Sequence, residues 1–277
     1  MNRRKLTTII IVVLLIAGLS LLLYPTISNF VKSMGHRRNI THYTEAVAAL
    51  DEETYEDVLQ AAYDYNQRMF ETGLPRLLAL TDEEWEEYEQ MLRIETTDVM
   101  AYISIPKVGV YLPIYHSTED GVLQVGVGHL EGTSLPVGGE NTHTVITAHR
   151  GLPSAKLFTN IDQLVEGDTF TIRVLREVLT YEVDDIQVVL PTEVSALRIF
   201  EGEDYCTLLT CTPYGVNTHR LLVRGHRIPT PEEDKRAEFI LDNRYYGIDP
   251  ELYLVTVMVL AAVLILIGVA KRKLRHR

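Results

Sequence analysis

The chain has 277 residues, and its 38 Asp and Glu against 26 Lys and Arg give a formal net charge of −12 at pH 7. This acidity argues against a nucleic-acid partner, because phosphate backbones are bound by basic surfaces. The length allows one large or two modest domains, and the 46% of hydrophobic residues are unevenly distributed.

Two uncharged apolar blocks, at residues 7–24 and 252–270, carry the excess of hydrophobic side chains. Each can cross a bilayer as a helix, since the second would span about 28 Å. A cleaved signal peptide is the alternative for the first block, and a buried core helix is the alternative for the second. No Ala-x-Ala-like site follows Tyr24, and a basic stop follows the second block. We therefore predict a signal-anchor span and a second transmembrane helix.

Basic residues flank both blocks and predict their orientation. Residues 1–6 contain Arg3, Arg4 and Lys5, and residues 271–277 hold further Lys and Arg. Such residues collect on the cytoplasmic side of membrane spans. We predict short cytoplasmic tails at both ends and an extracellular portion between the spans.

The extracellular portion begins with a helical region at residues 25–98. Apolar side chains spaced three and four apart indicate a helix over 41–71. A capping-box pattern at Thr81 opens a second helix, which places on one side Trp85, Tyr88 and Leu92. We expect both helices to lie on a core.

A β-rich domain is predicted at residues 99–228, followed by a polar linker at 229–251. Short runs with period-two alternation, separated by Gly and Pro turn signals, favour a closed or sandwiched β-domain. One helical turn is expected at 154–158. The runs are YISI, VGVYLPIY, THTVITAH, TFTIRVL, LTYEV, IQVVL, YCTLLTC and RLLVRG.

The two cysteines, Cys206 and Cys211, lie together in YCTLLTC, which predicts one strand. Five residues along a strand separate the thiols by about 16 Å on opposite faces, which prevents a disulfide. Cys211 ends the strand just before Pro213, so its thiol is expected at an exposed rim. Cys206 is equally consistent with a buried small hydrophobe. Catalysis is the leading reason for a free thiol on an exported protein.

Arg220 is expected beside Cys211, because the run RLLVRG returns antiparallel to the cysteine strand. A guanidinium there would favour the thiolate and could bind an oxyanion. A surface arginine paired with a carboxylate is an equally good reading of the geometry.

A histidine is the usual acid for the amine that leaves in acyl transfer. His149 ends the run THTVITAH at a rim like that of Cys211, and His219 beside Arg220 is the second candidate. The residues alone leave this choice open.

Four segments resemble the motifs of sortases, specifically those of the pilus-building class C. The resemblance covers roughly residues 100–228, and its separate motifs occur in the right order. The segments are GVGHLEGTSLPVGG at 126–139, ITAHRGLP at 146–153, TLLTC at 207–211 and TPYGVNTHRLLVRG at 212–225.

The resemblance implies a mainly β fold: a sortase-type closed β-barrel of about eight strands, with N-terminal helices packed on it and two flanking transmembrane helices. It implies Cys211 as nucleophile, His149 as acid and base, and Arg220 as stabiliser of the oxyanion. Such enzymes cleave an LPXTG-like sorting signal, form a thioester and pass the acyl group to an amine. For class C the amine is typically a pilin lysine, and a cell-wall precursor is the other acceptor. The substrate-binding residues are not assigned.

One departure concerns the lid that class C sortases often carry, which holds an Asp-Pro-aromatic motif. Residues 70–100 contain no such motif. Either the helix from Thr81 to Leu92 takes the place of the lid, or the site stands open.

Two other functions are weighed beside this one. A membrane-anchored cysteine hydrolase that releases or trims surface proteins would use water as acceptor, although the sequence lacks C-G-[SA]-C-[WY]. A non-catalytic scaffold would carry an incidental thiol. No cofactor or metal is expected, because the histidines are scattered and no Cys-x-x-Cys occurs.

Overall fold

The computed structural model describes residues 3–72, 80–232, 234 and 257. Its α-helices are α1 (Arg3–Ala48), α2 (Glu52–Thr72), α3 (Asp82–Gln90) and α4 (Asp120–Leu123). Its strands are β1 (Val99–Ile105), β2 (Val110–His116), β3 (Val127–His129), β4 (Thr142–Thr147), β5 (Thr169–Val174), β6 (Glu177–Val189), β7 (Asp204–Thr212) and β8 (His219–Ile228).

The eight strands close into one barrel in the order β1-β2-β3-β4-β7-β8-β6-β5. The predicted closed barrel of about eight strands is therefore confirmed. Strands β4 and β7 are parallel, whereas β8 is antiparallel to both β7 and β6. Following the pairings around the barrel, β1, β4, β6 and β7 all finish at one end, where β2, β3, β5 and β8 begin. We call this end the β4/β7 rim.

The predicted number of strands is right, but two predicted runs belong to one strand. LTYEV and IQVVL form the single strand β6, which has a register irregularity between Val183 and Asp185. The bulge adds a residue at the acidic pair Asp184 and Asp185, which is where the alternation in the sequence breaks. The eighth strand is instead β3, which is three residues long.

Two helix predictions are wrong in detail. Residues 154–158 form turns, and the nearest helical turn is a 3-10 helix at Ile161–Gln163. Residues 41–71 are divided between α1 and α2, because Asp51 caps a new helix by accepting a hydrogen bond from the Thr54 backbone N–H at 2.8 Å. The capping box at Thr81 is confirmed by its two reciprocal hydrogen bonds with Glu84.

Helices α2 and α3 pack at the end of the barrel away from the β4/β7 rim. The Asn66 side chain of α2 exchanges two hydrogen bonds with the backbone of Leu135, in the connection between β3 and β4. The buried Tyr88 of α3 contacts His116 and His129, the last residues of β2 and β3. In the described part of the chain, these contacts of α3 are with the ends of β2 and β3 and not with Cys211, and the two lid alternatives stay predictions.

Helix α1 contains the one stretch in the described part of the chain that is long and apolar enough to cross a membrane. The helix begins at Arg3, includes the whole of the predicted signal-anchor block and runs without a break to Ala48. The predicted second span at 252–270 and most of the linker at 229–251 lie outside the described residues.

Candidate active site

Cys211 and Arg220 face each other as a cross-strand pair at the β4/β7 rim. They are direct partners in the antiparallel β7–β8 ladder, whose strands lie about 4.8 Å apart. Cys211 is half-buried. The Arg220 guanidinium donates only to backbone carbonyls of its own turn, at 3.3 Å to Asn217 and 3.1 Å to His219. No carboxylate within the described ranges forms an ion pair with it, so its charge is left available beside the thiol.

His149 lies two residues beyond the end of β4, the strand that neighbours β7. The parallel β4–β7 ladder ends at the pair Thr147 and Leu209. Hydrogen bonds extend it, since Ala148 N–H donates to Leu209 O at 3.3 Å and Thr210 Oγ1 donates to Ala148 O at 2.8 Å. One further step in this register places His149 alongside Cys211. The His149 ring is half-buried and has no hydrogen-bond partner in the described part of the chain.

Two of the competing histidines are fully buried and bonded through both ring nitrogens. His143 is bonded to the Arg198 carbonyl and to Thr207 Oγ1, both at 2.7 Å. His129 lies 3.0 Å from the Tyr88 hydroxyl and 2.9 Å from the Ser134 carbonyl. Burial lowers the pKa of each of these two histidines to about 4. They are neutral structural groups, so the candidate acid must be one of the other histidines.

His219, the second candidate from the sequence, also lies at the β4/β7 rim. It pairs with Thr212 across the β7–β8 ladder. Its Nδ1 lies 2.9 Å from Thr218 Oγ1 in the exposed turn. His219 is therefore one step beyond the Cys211–Arg220 pair, whereas His149 is level with the thiol on the other neighbouring strand.

Cys206 is fully buried on β7 and differs sharply from Cys211. Its exposed fraction is 0%, and burial raises the pKa of its thiol well above the usual range. A buried, protonated thiol is a poor nucleophile. Both cysteines are free and lie on one strand, as the sequence predicts.

Arg150, which the sequence reasoning did not single out, ties the two loops that leave the rim. Its Nη1 donates to Thr212 Oγ1 at 3.1 Å, and its Nη2 forms an ion pair with Asp162 at 2.5 Å. The side chain is only 11% exposed. Because His149 precedes Arg150 and Cys211 precedes Thr212, this bridge fixes the spacing of the two candidate catalytic residues.

Gly151 and Tyr214 form a second contact between the same loops. Gly151 has φ +81°, and a Cβ built there would lie 2.9 Å from Cε2 of the Tyr214 ring. Glycine is favoured at this position for two reasons: the backbone is left-handed, and the Tyr214 ring approaches too closely for a side chain. The adjacent pair Arg150-Gly151 after a strand end was the signal in the sequence that could have pointed to this contact.

A closed barrel that brings a thiol, a guanidinium and an imidazole to one rim has the architecture of a cysteine transpeptidase. The family model for the sortase domain matches residues 103–228. The chain belongs to the sortase family, in its class C, because its solved structural neighbours are class C sortases.

The solved structures support this assignment over most of the chain. Sortase C1 from Streptococcus agalactiae is 47% identical, with 70% of this chain and 100% of that chain covered and a TM-score of 0.68. Sortase C from Streptococcus pneumoniae is 46% identical, with 67% and 94% covered and a TM-score of 0.60. Sortase D from Bacillus subtilis (strain 168) is 27% identical over 137 residues, so that 48% of this chain spans 66% of that protein.

Proposed function

We propose that this chain is a membrane-anchored transpeptidase that cleaves an LPXTG-like sorting signal and joins the new acyl end to a pilin lysine. The observation that carries the proposal is the pairing of Cys211 with Arg220 at the β4/β7 rim, with His149 just beyond the end of the adjoining strand β4. The pilin substrate is supported by the solved sortase C of Streptococcus pneumoniae, for which pilin substrate specificity is described.

The first half-reaction makes a thioester on Cys211. The thiolate attacks the carbonyl carbon of the Thr-Gly bond, and a C–S bond forms as the carbonyl oxygen gains negative charge. Arg220 donates hydrogen bonds to this oxyanion, because its guanidinium lies across the ladder from the thiol. The C–N bond then breaks, and the protonated imidazole of His149 gives its proton to the leaving amine.

The second half-reaction releases the acyl group to the acceptor. The neutral imidazole of His149 takes a proton from the attacking lysine amine, which forms a new amide C–N bond at the thioester carbonyl. The C–S bond breaks and returns the Cys211 thiolate. Dividing the exchange into two acyl transfers avoids a direct displacement of one amine by another. A cell-wall precursor amine would enter the same second step.

The membrane topology is part of this proposal. The apolar start of α1 is the anchor. Arg3, Arg4 and Lys5 favour a cytoplasmic N-terminus, and the basic residues at 271–277 favour the same side for the C-terminus. The barrel would then lie outside the cell, with both tails inside.

The test is to trap the thioester on the full chain in membranes. The protein is incubated with an LPXTG-type peptide, and the adduct is located by mass spectrometry. We expect the acyl adduct on Cys211 and none after Cys211→Ala. The matched control is Cys206→Ala, which removes the chain's other thiol and is expected to keep the adduct. An adduct that persists after Cys211→Ala would overturn the assignment of the nucleophile.

The acceptor separates a transpeptidase from the hydrolase alternative. A pilin peptide that contains a lysine is added to the trapped enzyme, and the ligated product is measured. We expect an amide-linked product that grows with the amine concentration. A hydrolysed peptide whose yield does not change with added amine would instead support a hydrolase that trims surface proteins.

A further inference from the structure

Helix α1 crosses β2 and β1, and its N-terminal part reaches the loop that leaves the β4/β7 rim after His149. Near Ala48 its contacts lie at the far end, where the Tyr43 hydroxyl donates to the Met100 carbonyl at 2.9 Å and accepts from the Leu175 N–H at 2.7 Å. Met100 lies near the start of β1, and Leu175 lies in the β5–β6 turn. Both positions are remote from the rim, and the Asn39 side chain donates at 2.8 Å to the Tyr115 hydroxyl, near the same end of β2.

The membrane-proximal part of α1 is bonded to the loop that follows His149. Ser28 Oγ donates to the Ser154 carbonyl at 3.1 Å, and Lys32 Nζ donates to Ser154 Oγ at 3.1 Å. Asn29 Oδ1 accepts from the Lys156 N–H at 2.9 Å. These side chains form one polar strip on the helix, because residues four apart lie on the same face. The strip clamps the rim loop at residues 151–160 to the helix.

The same strip also holds the loop that precedes β3. Lys32 Nζ donates to the Gln124 carbonyl at 2.8 Å, and His36 Nε2 lies 2.5 Å from the Val125 carbonyl. This second loop follows the end of β2, and Val125 lies near Val99 and His116, at the end of the barrel away from the rim. Two loops of the barrel are therefore fixed to α1, and the loop at residues 151–160 is the one held nearer the apolar block.

The contacts of Ser28 and Lys32 with this loop lie close to the bilayer, measured along the helix axis. The uncharged block ends at Tyr24, and Ser28 and Lys32 follow four and eight residues later. At about 1.5 Å per residue they lie about 6 and about 12 Å beyond the apolar block. The headgroup layer on each side of a bilayer is about 5 to 8 Å thick. The rim loop at residues 151–160 thus lies at the level of the lipid headgroups.

Exposed apolar side chains of the barrel gather at this same end. Among the described residues of 99–228, six large hydrophobic side chains are at least 49% exposed, and all but Val125 lie on rim loops or on the last turns of rim-directed strands. Single exposed apolar residues are ordinary on any surface, but the gathering of five at one end is not. The five are Val165, Val188, Leu190, Tyr214 and Val216.

We propose that α1 holds the β4/β7 rim, and with it Cys211, against the outer surface of the membrane, with Tyr214 and Val216 in the interfacial layer. The proposal rests on the membrane anchoring set out under the proposed function. Tyrosine is enriched at membrane–water interfaces, because its ring is apolar and its hydroxyl is polar. Tyr214 packs on Gly151, in the loop that Ser28 and Lys32 hold, so its position follows from the clamp.

The bilayer is the occupant that the geometry favours over a second copy of the chain. Helix α1 is continuous from the apolar block to its contacts with the loop at residues 151–160, so the membrane lies on the side of that loop whatever else binds there. A substrate that reaches Cys211 must then approach along the membrane surface rather than from the surrounding solution.

The test places a tryptophan at the rim of the full-length protein in phosphatidylcholine vesicles. Trp85→Phe removes the one tryptophan of the chain, and Tyr214→Trp or Val216→Trp introduces a single probe. The matched control is Glu201→Trp, in the exposed loop that leads into β7 at the opposite end. Emission is compared between ordinary lipid and lipid with brominated acyl chains, which quench on contact.

We expect loss of emission in brominated lipid for the probes at 214 and 216, and none for the probe at 201. Two rim probes guard against a change in packing at Gly151 caused by one of them. A blue shift at the rim without quenching would mean that protein covers it, and would overturn the proposal in favour of a second copy. Equal quenching at 201 and 214, or quenching at neither rim site, would also overturn it.

Two measurements on the same sample distinguish a failure of the membrane anchoring from a failure of the proposed acyl transfer. Co-flotation of the protein with vesicles reports the anchor, and a chain that does not float overturns this proposal together with the predicted topology. The Cys211 adduct reports the acyl transfer. Quenching at the rim without an adduct would leave the rim placement standing and remove the transpeptidase.

Discussion

Arg150 is joined to Thr212 by a hydrogen bond of 3.1 Å from Nη1 to Oγ1, and this bond links the segment that carries His149 to the end of β7, which carries Cys211. The same guanidinium reaches Asp162 through Nη2. One planar side chain therefore sets the relative position of His149 and Cys211 without taking part in bond formation.

Arg150→Ala is expected to slow formation of the Cys211 adduct by about 10- to 100-fold, because small misplacements of reacting groups cost rates of that order. The rate should fall with little change in the peptide concentration that gives half-maximal rate. Arg150→Lys should recover only part of it, since an ammonium cannot bridge two partners as a guanidinium does. The readout is single-turnover mass spectrometry.

The control for this prediction is Arg176→Ala, which removes a different arginine at the far end of the barrel. Arg176 pairs with Glu52 at 2.7 Å on the surface. Its loss should leave the adduct rate unchanged. If Arg150→Ala and Arg176→Ala behave alike, the positioning role of Arg150 is wrong.

Gly151→Ala is expected to destabilise the protein more than Gly167→Ala. Both glycines have positive φ, at +81° and +89°, so both substitutions carry a backbone cost of about 1 to 2 kcal/mol. Only the Cβ at 151 meets the Tyr214 ring, whereas the one at 167 has nothing within 4 Å. The steric term adds about 1 to 3 kcal/mol. Thermal unfolding in detergent measures the difference, and equal shifts would contradict it.

Tyr88→Phe is expected to lower the unfolding temperature and leave the adduct rate unchanged. The Tyr88 hydroxyl accepts from the Ser117 N–H at 3.0 Å and lies 3.0 Å from His129 Nδ1. Removing it leaves buried polar groups unpaired, at a cost of about 1 to 3 kcal/mol. Tyr63→Phe, on the exposed face of α2, is the control and should change stability little.

The activity of Tyr88→Phe also tests where α3 acts. Because α3 contacts the ends of β2 and β3 away from the rim, loosening it should not uncover Cys211. A faster adduct in Tyr88→Phe would show that α3 restrains access to the thiol after all.

Acid is expected to destabilise the barrel between about pH 6.5 and pH 4. The unfolded chain binds protons on His129 and His143 near the ordinary pKa of 6.5, while burial lowers the pKa of both to about 4 in the folded protein. Their stabilising effect is complete above 6.5 and is lost as pH falls, by up to about 3 kcal/mol for each histidine. Unfolding temperatures measured from pH 7 to pH 4 should fall, and His143→Gln should flatten the curve. An unchanged slope in His143→Gln would argue against this source.

The sequence was sufficient for the barrel, and it failed where an element is short or interrupted. Strand β3 has only three residues and includes Gly128, so period-two alternation has no room to show. Strand β6 was divided in two because Asp184 and Asp185 lie at its bulge, where Asp184 pairs with Arg224 at 2.9 Å. Whether these residues form one strand or two depends on their pairing with β8, which lies far along the chain.

Of the candidate site, too, one part could be predicted from the sequence and another part could not. The Cys211–Arg220 pair followed from a hairpin, which is a local relationship and readable from the chain. The choice of His149 needed the parallel β4–β7 register, which joins residues 62 positions apart, as in the Thr147 and Leu209 pair. The polar strip of α1 was invisible in the sequence, because Ser28, Asn29 and Lys32 look like an ordinary linker until their partners are known.

The opposite placement of the two sulfur atoms on β7 has a redox consequence. Cys206 is sealed inside the barrel and Cys211 opens at its rim, so the chain cannot oxidise itself into an internal disulfide. An oxidising exterior can therefore reach only one thiol, as a sulfenic acid or as a mixed disulfide with another molecule. Because neither product cross-links the strand, a reductant should restore the thiol without any refolding of the barrel.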